Sequence, residues 1–246
     1  MRIAIFSDVH ANLVALEAVL ADWRSDVDLA WCLGDVVGYG PEPNACVELV
    51  RSVASVCVAG NHDWAAVGRI DTEDFNELAA TAAEWTGRQL TPDAINYLEQ
   101  LPLRHQSGEF GLAHGSPRDP IWEYVLSDQT AAVNLLAYPG AAWFVGHSHI
   151  AGGYSLGEVA SGTLAIRTEP VVYDRWLPLG DRRHLINVGS VGQPRDGDPA
   201  ARYVILDVEG RAYQRRRVSY DVARTQARMR AVGLPDPLAR RLALGR

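Results

Sequence analysis

Short apolar runs alternate with stretches of helical spacing in the first 60 residues, and this alternation limits the folds open to the chain. The runs RIAIF (2–6), LAWCL (29–33) and SVCVA (55–59) predict buried strands. Residues 13–23 and 43–52, which lie between these runs, predict helices with an apolar face. A strand–helix–strand–helix–strand order favours parallel strands joined by right-handed crossovers. We therefore predict an α/β protein.

Further helix and strand patterns follow in the middle of the chain. Residues 71–100 predict helical structure, with Thr91 and Pro92 as an N-cap and first-turn pair. Another helix is predicted over about 128–137. The strands predicted on either side of it are FGLAH (110–114) and AAWFVG (141–146).

The pattern changes between Gly152 and Arg217, where Gly and Pro turns separate short runs. This spacing predicts a mostly antiparallel sheet. Its predicted strands are TLAIRT, PVVY, HLINVGS, ARYVILDV and AYQRRRV. The tail over about 220–246 predicts helices, and no repeat or long linker interrupts the chain. We therefore expect one domain over residues 1–246.

Charge and cysteine content exclude several classes of protein. A net charge of −7 and an isoelectric point near 5.5 argue against a general nucleic-acid-binding surface. The cysteines Cys32, Cys46 and Cys57 have no C-x-x-C spacing, and we expect buried free thiols in a reducing compartment. The chain shows neither a signal-peptide pattern nor an apolar run of about 18 residues that could span a membrane. These features predict a cytoplasmic protein.

Polar residues follow five of the predicted strands directly. They are Asp8 and His10, Asp35, Asn61 with His62 and Asp63, His114, and His147 with His149. Ligands bind outside the carboxyl ends of the strands in open α/β sheets, so we expect these side chains to converge. Each motif alone has an ordinary alternative, such as a helix cap or a turn. Their joint occurrence favours a metal site, whereas His105 and His184 lack such a context and are expected to be ordinary histidines.

The donor set narrows the choice of metal. Without thiolates, carboxylate, imidazole and amide groups suit Mn²⁺, Fe, Co²⁺, Ni²⁺ or Zn²⁺ better than Ca²⁺ or Mg²⁺. Seven donors exceed what one four- to six-coordinate ion can bind. In the segment FVGHSH, His147 and His149 face the same way, with Cα atoms roughly 6.5 Å apart on an extended strand. That spacing favours two ions over one.

The motif series D-x-H, G-D, G-N-H-[DE], H and G-H-x-H occurs here complete and in order, between residues 8 and 149. In this respect the chain resembles the calcineurin-like metallophosphoesterase superfamily. The segments GDVVGYGPEPN, HGSPRDPIWEY and NVGSVGQPRDGDP are similar to its small bacterial and archaeal phosphodiesterase branch. The resemblance implies a four-layer α/β/β/α sandwich with two mixed β-sheets.

The resemblance also implies a ligand set and a mechanism. Two divalent ions are implied, with Mn²⁺ favoured and Fe, Zn, Co or Ni as alternatives. The ligands of the first ion would be Asp8, His10, Asp35 and His149, and those of the second Asp35, Asn61, His114 and His147. A hydroxide bridging the ions would attack phosphorus. His62 is predicted to be cationic and would protonate the leaving oxygen, and Asp63 would orient His62.

Other residues carry weaker signals. Arg195 and Arg118 lie in loop segments and could contact phosphate through a bidentate fork, or be ordinary turn residues. The insertion over about 64–109 is interpreted as a helical cap. Its aromatic residues, Trp64, Phe75 and Trp85, either shape the substrate entrance or form the core of the cap itself.

The leading hypothesis is therefore a phosphodiesterase that acts on small phosphodiesters or nucleotides. A protein Ser/Thr phosphatase or dinucleoside polyphosphatase is the alternative, but GDVVGYG lacks the Arg-Gly expected in those branches after G-D-x-x-D. A catalytically silent scaffold of this fold would lose a catalytic histidine, and His10, His62, His147 and His149 are all present. A DNA nuclease would be expected to carry an added DNA-binding region. The expected partner is a small phosphoester, and the arginines of the tail allow a homo-oligomer contact or a solvated surface.

Overall fold

A computed structural model describes residues 1–23, 26–158 and 162–246. The strands are β1 (Arg2–Phe6), β2 (Leu29–Cys32), β3 (Val56–Cys57), β4 (Arg104–Ser107), β5 (Phe110–Ala113), β6 (Ala142–Val145), β7 (Gly152–Glu158), β8 (Leu164–Thr168), β9 (Trp176–Pro178), β10 (Arg183–Asn187), β11 (Ala201–Asp207) and β12 (Ala212–Val218). The helices are α1 (Leu13–Trp23), α2 (Pro43–Val53), α3 (Asn61–Ala66), α4 (Glu77–Gln89), α5 (Pro92–Glu99), α6 (Asp128–Ala137), α7 (Val222–Ala231) and α8 (Asp236–Leu242). Among these helices, none is long and apolar enough to cross a membrane.

The strands form two sheets of six. The first has the order β3-β2-β1-β11-β12-β9, in which β1, β2 and β3 are parallel, as predicted, and the other pairs are antiparallel. The second has the order β4-β5-β6-β10-β7-β8, with parallel pairing among β5, β6 and β10. Both sheets are therefore mixed, which confirms the prediction.

The side-chain alternation of the central strands produces four layers. Ile3 and Ile5 of β1 enter the core between the two sheets, while Ala4 and Phe6 enter the core under α1 and α2. A period of two residues gives each strand this division. On the outer face of the second sheet, Leu135 of α6 packs in a third core. The resulting order is helices, sheet, sheet and helix, the predicted α/β/β/α sandwich.

Some predicted elements differ from the structure. PVVY (170–173) does not form a strand, since it begins with a proline and only Tyr173 makes an isolated bridge, to Arg215. The strand that pairs with β12 is β9 instead. Within 71–100 the helices begin only at Glu77 and are interrupted at Leu90. The predicted N-cap at Thr91 is confirmed, because its side chain accepts a hydrogen bond from the Ala94 N–H.

The insertion and the C-terminal tail pack against each other. Phe75 and Trp85 contact a cluster that includes Met229 and Leu242 of the tail, whereas Trp64 packs against the main core. These aromatic residues therefore do not form a separate core of the insertion. The same cluster contains Tyr39, in the loop after β2, so the tail reaches the edge of the sheets where the predicted ligands lie.

Candidate metal centre

The loops after β1, β2, β3, β5 and β6 bring the seven predicted ligands to one edge of the sandwich. Five of the ligands have a left-handed backbone: Asp8 (φ 55°), His10 (48°), Asp35 (49°), His147 (64°) and His149 (60°). This conformation is uncommon for residues other than glycine and is held only where the surrounding structure enforces it. Strain of this kind clusters at functional sites.

One group of buried side chains consists of Asp8, His10, Asp35 and His149. Their potential ligand atoms all lie within 4.8 Å of one another. The Nε2 atoms of His10 and His149 are 3.0 Å apart. Asp8 Oδ1 lies 3.2 Å from His149 Nε2, and Asp35 Oδ2 lies 3.6 Å from His10 Nε2. The four donors thus face a common point.

A second group consists of Asp35, His114 and His147, with Asn61 beside it. His114 Nε2 lies 3.3 Å from Asp35 Oδ2, 3.1 Å from His147 Nδ1 and 3.2 Å from Asn61 Oδ1. The same oxygen of Asp35 therefore faces both groups, a position from which one carboxylate oxygen could bridge two ions.

Backbone carbonyls fix the orientation of all four histidine rings. The contacts are His10 Nδ1 to Val37 O (3.1 Å), His114 Nδ1 to Leu33 O (2.9 Å), His149 Nδ1 to Gln193 O (2.6 Å) and His147 Nε2 to Trp122 O (3.3 Å). A ring nitrogen that donates to a carbonyl leaves the other nitrogen with a free lone pair. Metal-binding histidines are held in the same way, and here each free nitrogen points into the site.

Two buried carboxylate oxygens, Asp8 Oδ1 and Asp35 Oδ2, have no hydrogen-bond donor among the residues that the structure describes. Their partner oxygens are satisfied, because Asp8 Oδ2 accepts from the His147 N–H and Asp35 Oδ1 from the His62 N–H. A buried, unsatisfied carboxylate oxygen is costly, and a cation at each group would compensate both oxygens. The residues therefore fit a pair of metal ions that share Asp35.

The protonation states favour metal binding as well. Burial lowers the pKa of His147 to about 3, and it also holds the pKa of His10 well below its usual value. Burial opposes ionisation of Asp8, but His149 and His114 together outweigh it and lower the pKa of that carboxyl. For His114, burial is outweighed by the Asp35 carboxylate, which raises its pKa to about 9. Most donors are thus already in the form that a cation binds, and His114 has a proton to release.

A cavity of about 180 Å³ opens onto this centre. Its lining residues are Asp35, Tyr39, Asn61, His62, Tyr124, His147, His149 and Arg195. The His62 ring lies 4.4 Å from the Tyr39 ring and 4.7 Å from the Phe75 ring. Burial lowers the pKa of His62 to about 4, so the ring is neutral at neutral pH, whereas a cationic ring was predicted.

Asp63 does not contact His62 as the resemblance implies. Its Oδ1 accepts a hydrogen bond from the Val37 N–H (3.1 Å), and its Oδ2 accepts one from the Gly60 N–H (3.0 Å). Both oxygens are therefore used to cap α3 and to hold the loop after β2. Asp63 affects His62 through the backbone rather than by a direct hydrogen bond.

The two predicted arginines lie in different surroundings. Arg195 lines the cavity, and its Nη2 donates to Gln193 Oε1 (2.7 Å). Its Nε is buried and has no acceptor within the described part of the chain. Arg118 is 51% exposed, pairs with Glu123 and does not line the cavity. The structure thus brings only Arg195 to the site.

Sequence reasoning missed two aromatic residues of the cavity. Tyr124 stacks on His147 at a ring distance of 4.0 Å, and Tyr39 lies under the Arg195 guanidinium at 5.8 Å. Both lie inside motif segments, GDVVGYG and SPRDPIWEY, whose predicted functional residues are the metal ligands and the arginines. Their position inside these motif segments is the sequence signal that could identify them as residues of the site.

Comparisons with known proteins agree with this geometry. A family model described as the calcineurin-like phosphoesterase superfamily domain matches residues 1–211, which include all seven predicted ligands. The chain is 38% identical to an uncharacterized protein of Methanocaldococcus jannaschii over 99% of this chain and 98% of that protein. It is 46% identical to a metallophosphoesterase from Sphaerobacter thermophilus, whose crystal structure matches with a TM-score of 0.86 and coverage of 100% and 99% of the two chains. A partial match, 31% identical over 42% of this chain and 38% of the relative, is to the symmetrical bis(5′-nucleosyl)-tetraphosphatase of Pectobacterium carotovorum.

Proposed function

Because the chain belongs to the calcineurin-like phosphoesterase superfamily, we propose that it is a phosphodiesterase that uses two divalent metal ions to hydrolyse small phosphodiesters or nucleotides. The observation that carries the proposal is Asp35 Oδ2, a buried oxygen without a donor that faces both groups of ligands. One carboxylate shared by two sets of imidazoles is what a two-metal hydrolase needs.

Each ion would have four protein ligands. Asp8, His10, Asp35 and His149 would hold one ion, and Asp35, Asn61, His114 and His147 the other. When bound, such a pair supplies positive charge that stabilises the reacting phosphate and makes water more acidic. Mn²⁺ is the proposed metal, with Fe, Zn, Co and Ni as alternatives that suit the same donors.

The other residues of the cavity would bind the phosphoester and supply the proton that the leaving oxygen needs. Arg195 would bind a phosphate oxygen through Nε, which is buried and without an acceptor. His62, packed against the Tyr39 and Phe75 rings, would give a proton to the leaving oxygen. Because its ring is neutral before the substrate binds, that proton must arrive together with the phosphate anion, whose charge favours the protonated form.

Dinucleoside polyphosphate hydrolysis is the second candidate. It is favoured by the partial match to a bis(5′-nucleosyl)-tetraphosphatase, which covers less than half of this chain. The protein Ser/Thr phosphatase alternative has no comparable support. Three statements about partners stay predictions: a small phosphoester as substrate, a homo-oligomer and the absence of nucleic-acid binding. The cytoplasmic location also stays a prediction, which the three free, buried cysteines support.

The test is a substrate panel on protein stripped of metal and reloaded with Mn²⁺. The panel compares bis(p-nitrophenyl) phosphate, p-nitrophenyl phosphate, a cyclic nucleotide and diadenosine tetraphosphate. We expect diester hydrolysis that is lost in Asp35→Asn and kept in Arg118→Ala, a change outside the cavity. Faster cleavage of the tetraphosphate would select the second candidate. Diesters left intact by protein that holds two ions per chain would reject the proposal.

A further inference from the structure

A loop that follows β5 folds back onto His147, one of the predicted ligands. We name residues 115–124 the Glu123 loop. Near the end of this loop, the Trp122 carbonyl oxygen lies 3.3 Å from His147 Nε2, and the Tyr124 ring stacks on the His147 ring at 4.0 Å. The residues on either side of Glu123 in the chain therefore both contact the same ligand.

The ring of His147 is oriented differently from the other three predicted histidine ligands. Those three have Nδ1 against a backbone carbonyl and Nε2 towards the site: His10, His114 and His149. His147 has the opposite arrangement, with Nε2 against Trp122 O and Nδ1 3.1 Å from His114 Nε2. Its Nδ1 can bind an ion only while the ring keeps this orientation. The second group of ligands thus depends on the position of the Glu123 loop.

The Glu123 carboxylate ties the two ends of this loop together. Its side chain is 14% exposed, and Oε2 accepts hydrogen bonds from Ser116 Oγ (2.6 Å) and Asn134 Nδ2 (2.8 Å). Both donor residues are fully buried. Ser116 lies two residues after His114, and Asn134 belongs to α6. One carboxylate oxygen therefore connects the part of the loop that contacts His147 to the start of the loop and to a helix.

The restraint on the loop comes from this buried oxygen. Burial opposes ionisation of Glu123, but the hydrogen bonds from Arg118, Ser116 and Asn134 outweigh it and hold the pKa of the carboxyl below its usual value. Hydrogen bonds to an ionised oxygen are about twice as strong as those between neutral groups. Arg118 contacts the other oxygen, Oε1, and its side chain is 51% exposed, so that pair contributes little.

Building on the proposed function, we propose that Glu123 is a positioning residue for the ion held by the second group of ligands. Its hydrogen bonds fix the Glu123 loop, and the loop holds the His147 ring so that Nδ1 faces the site. Within the described part of the chain, Glu123 is not among the residues that line the metal cavity, so it acts through the loop and not on the substrate. The described residues of the loop make no hydrogen bond to His10 or His149, so the first ion is not held by it.

Three variants separate the hydrogen bonds of Glu123 from its charge. Glu123→Ala removes both, whereas Glu123→Gln removes the charge and keeps an oxygen that can accept from the two buried donors. Arg118→Ala removes only the exposed pair. Asp22→Ala is the matched control for the loss of a half-buried carboxylate. Asp22, at the C-terminal end of α1, accepts hydrogen bonds from Tyr203 Oη (2.7 Å) and Arg216 Nη2 (3.2 Å).

Mn²⁺ binding to metal-free protein is measured by calorimetry, and EPR spectroscopy distinguishes isolated ions from a spin-coupled pair. Glu123→Ala should bind the first ion as the wild type does and the second at least about tenfold more weakly, as is typical when a contact that orients a ligand is lost. With free Mn²⁺ at the Kd of the second ion in the wild type, about half of wild-type chains but only about a tenth of Glu123→Ala chains should show the coupled pair. Glu123→Gln, Arg118→Ala and Asp22→Ala should resemble the wild type. His147→Ala, which removes the ligand itself, gives the reference spectrum without a pair.

A second ion bound as tightly by Glu123→Ala as by the wild type would overturn the proposal. An equal loss in Asp22→Ala would overturn it too, and so would Glu123→Gln as weak as Glu123→Ala, because the charge and not the hydrogen bonds would then act. If Glu123→Ala does not fold, Ser116→Ala removes one of the two buried donors, and an unchanged second ion in that variant would equally refute the role of Glu123. A wild type that binds no pair of ions would instead refute the proposed function on which this role depends.

Discussion

One added methyl group at Gly60 should disable the candidate metal centre. A Cβ at this residue would lie 2.0 Å from Asp35 Oδ1 and 2.4 Å from the Asp35 N atom, whereas ordinary contacts begin at 3.4 Å. Gly60 itself has an extended backbone (φ −100°, ψ 170°), so Gly60→Ala adds no conformational strain. The clash must be relieved by moving Asp35 or the Gly60 loop by more than about 1 Å.

This displacement affects stability and metal affinity differently. Overpacking of a rigid interior costs about 1–3 kcal/mol in the free energy of unfolding. Asp35 Oδ2 faces both groups of ligands, so its movement changes both sites together. Loss of the support that orients a ligand typically weakens metal binding about 10- to 100-fold. We expect at least that loss for both ions in Gly60→Ala.

The assay measures the metal content per chain after equilibration with limiting Mn²⁺, together with urea unfolding in the presence of a chelator. Gly152→Ala is the matched control, because its Cβ meets nothing within 4 Å. Two ions bound per Gly60→Ala chain with unchanged affinity would show that Asp35 does not hold them. The interpretation of the centre would then be wrong.

Four further changes test other contacts. Arg195→Ala should weaken inorganic phosphate binding about 10- to 100-fold in a calorimetric titration, as expected for a lost charged hydrogen bond, and Arg118→Ala should not. Burial lowers the pKa of His184, so the unfolded chain binds a proton more readily than the folded chain, and stability is lost as the pH falls below 6.5. In urea unfolding, His184→Gln should therefore reduce the loss of stability between about pH 7.5 and about pH 5.5. His105→Gln is the control. Leu242→Ala, in the core shared by the insertion and the tail, should lower the free energy of unfolding by about 2–5 kcal/mol in a denaturant titration. A chelator should lower the melting temperature of the wild type, since ligand at 100 times its Kd contributes about 2.7 kcal/mol, but should leave Asp35→Asn unchanged.

The convergence of the predicted ligands at one edge could be predicted from the sequence because a local rule places them. Asp8, Asp35 and Asn61 follow parallel neighbouring strands, and parallel strands end at the same edge of a sheet. His114 and His147 follow two parallel strands of the second sheet in the same manner. The packing of the two sheets on one another was implied by the resemblance and did not follow from strand periodicity.

Other parts of the fold have no local signal. β4 reads RHQS and is mostly exposed, so its pairing with β5 is decided by the neighbouring strand and not by its own apolar residues. β7 reads GGYSLGE, in which three glycines mask the strand pattern, and it went unpredicted. PVVY has the sequence pattern of a strand, but β9 is the strand that pairs with β12 at this edge of the sheet.

Long-range contacts explain the remaining errors in the site. The backbone amides of Gly60 and Val37 converge on Asp63, and neither contact can be read from its place beside His62. The neutral state of His62 follows from burial under Tyr39 and Phe75, which come from separate segments. Such contacts depend on tertiary structure, which single-residue motifs do not encode.

The backbone of the predicted ligands indicates why they lie in short loops at the strand ends of the sandwich. A residue in a sparsely populated conformation carries about 1–3 kcal/mol of strain, and five ligands are left-handed. Asp8 and Asp35 add buried oxygens without donors. A loop that contains such strained residues would move to a more favourable backbone conformation unless its ends were fixed. Here each ligand loop begins at a strand of the sandwich, and the packed core of Ile5, Leu112 and Phe144 lies just below these ends. The burial that stabilises the fold therefore also keeps the donors in place before a metal binds.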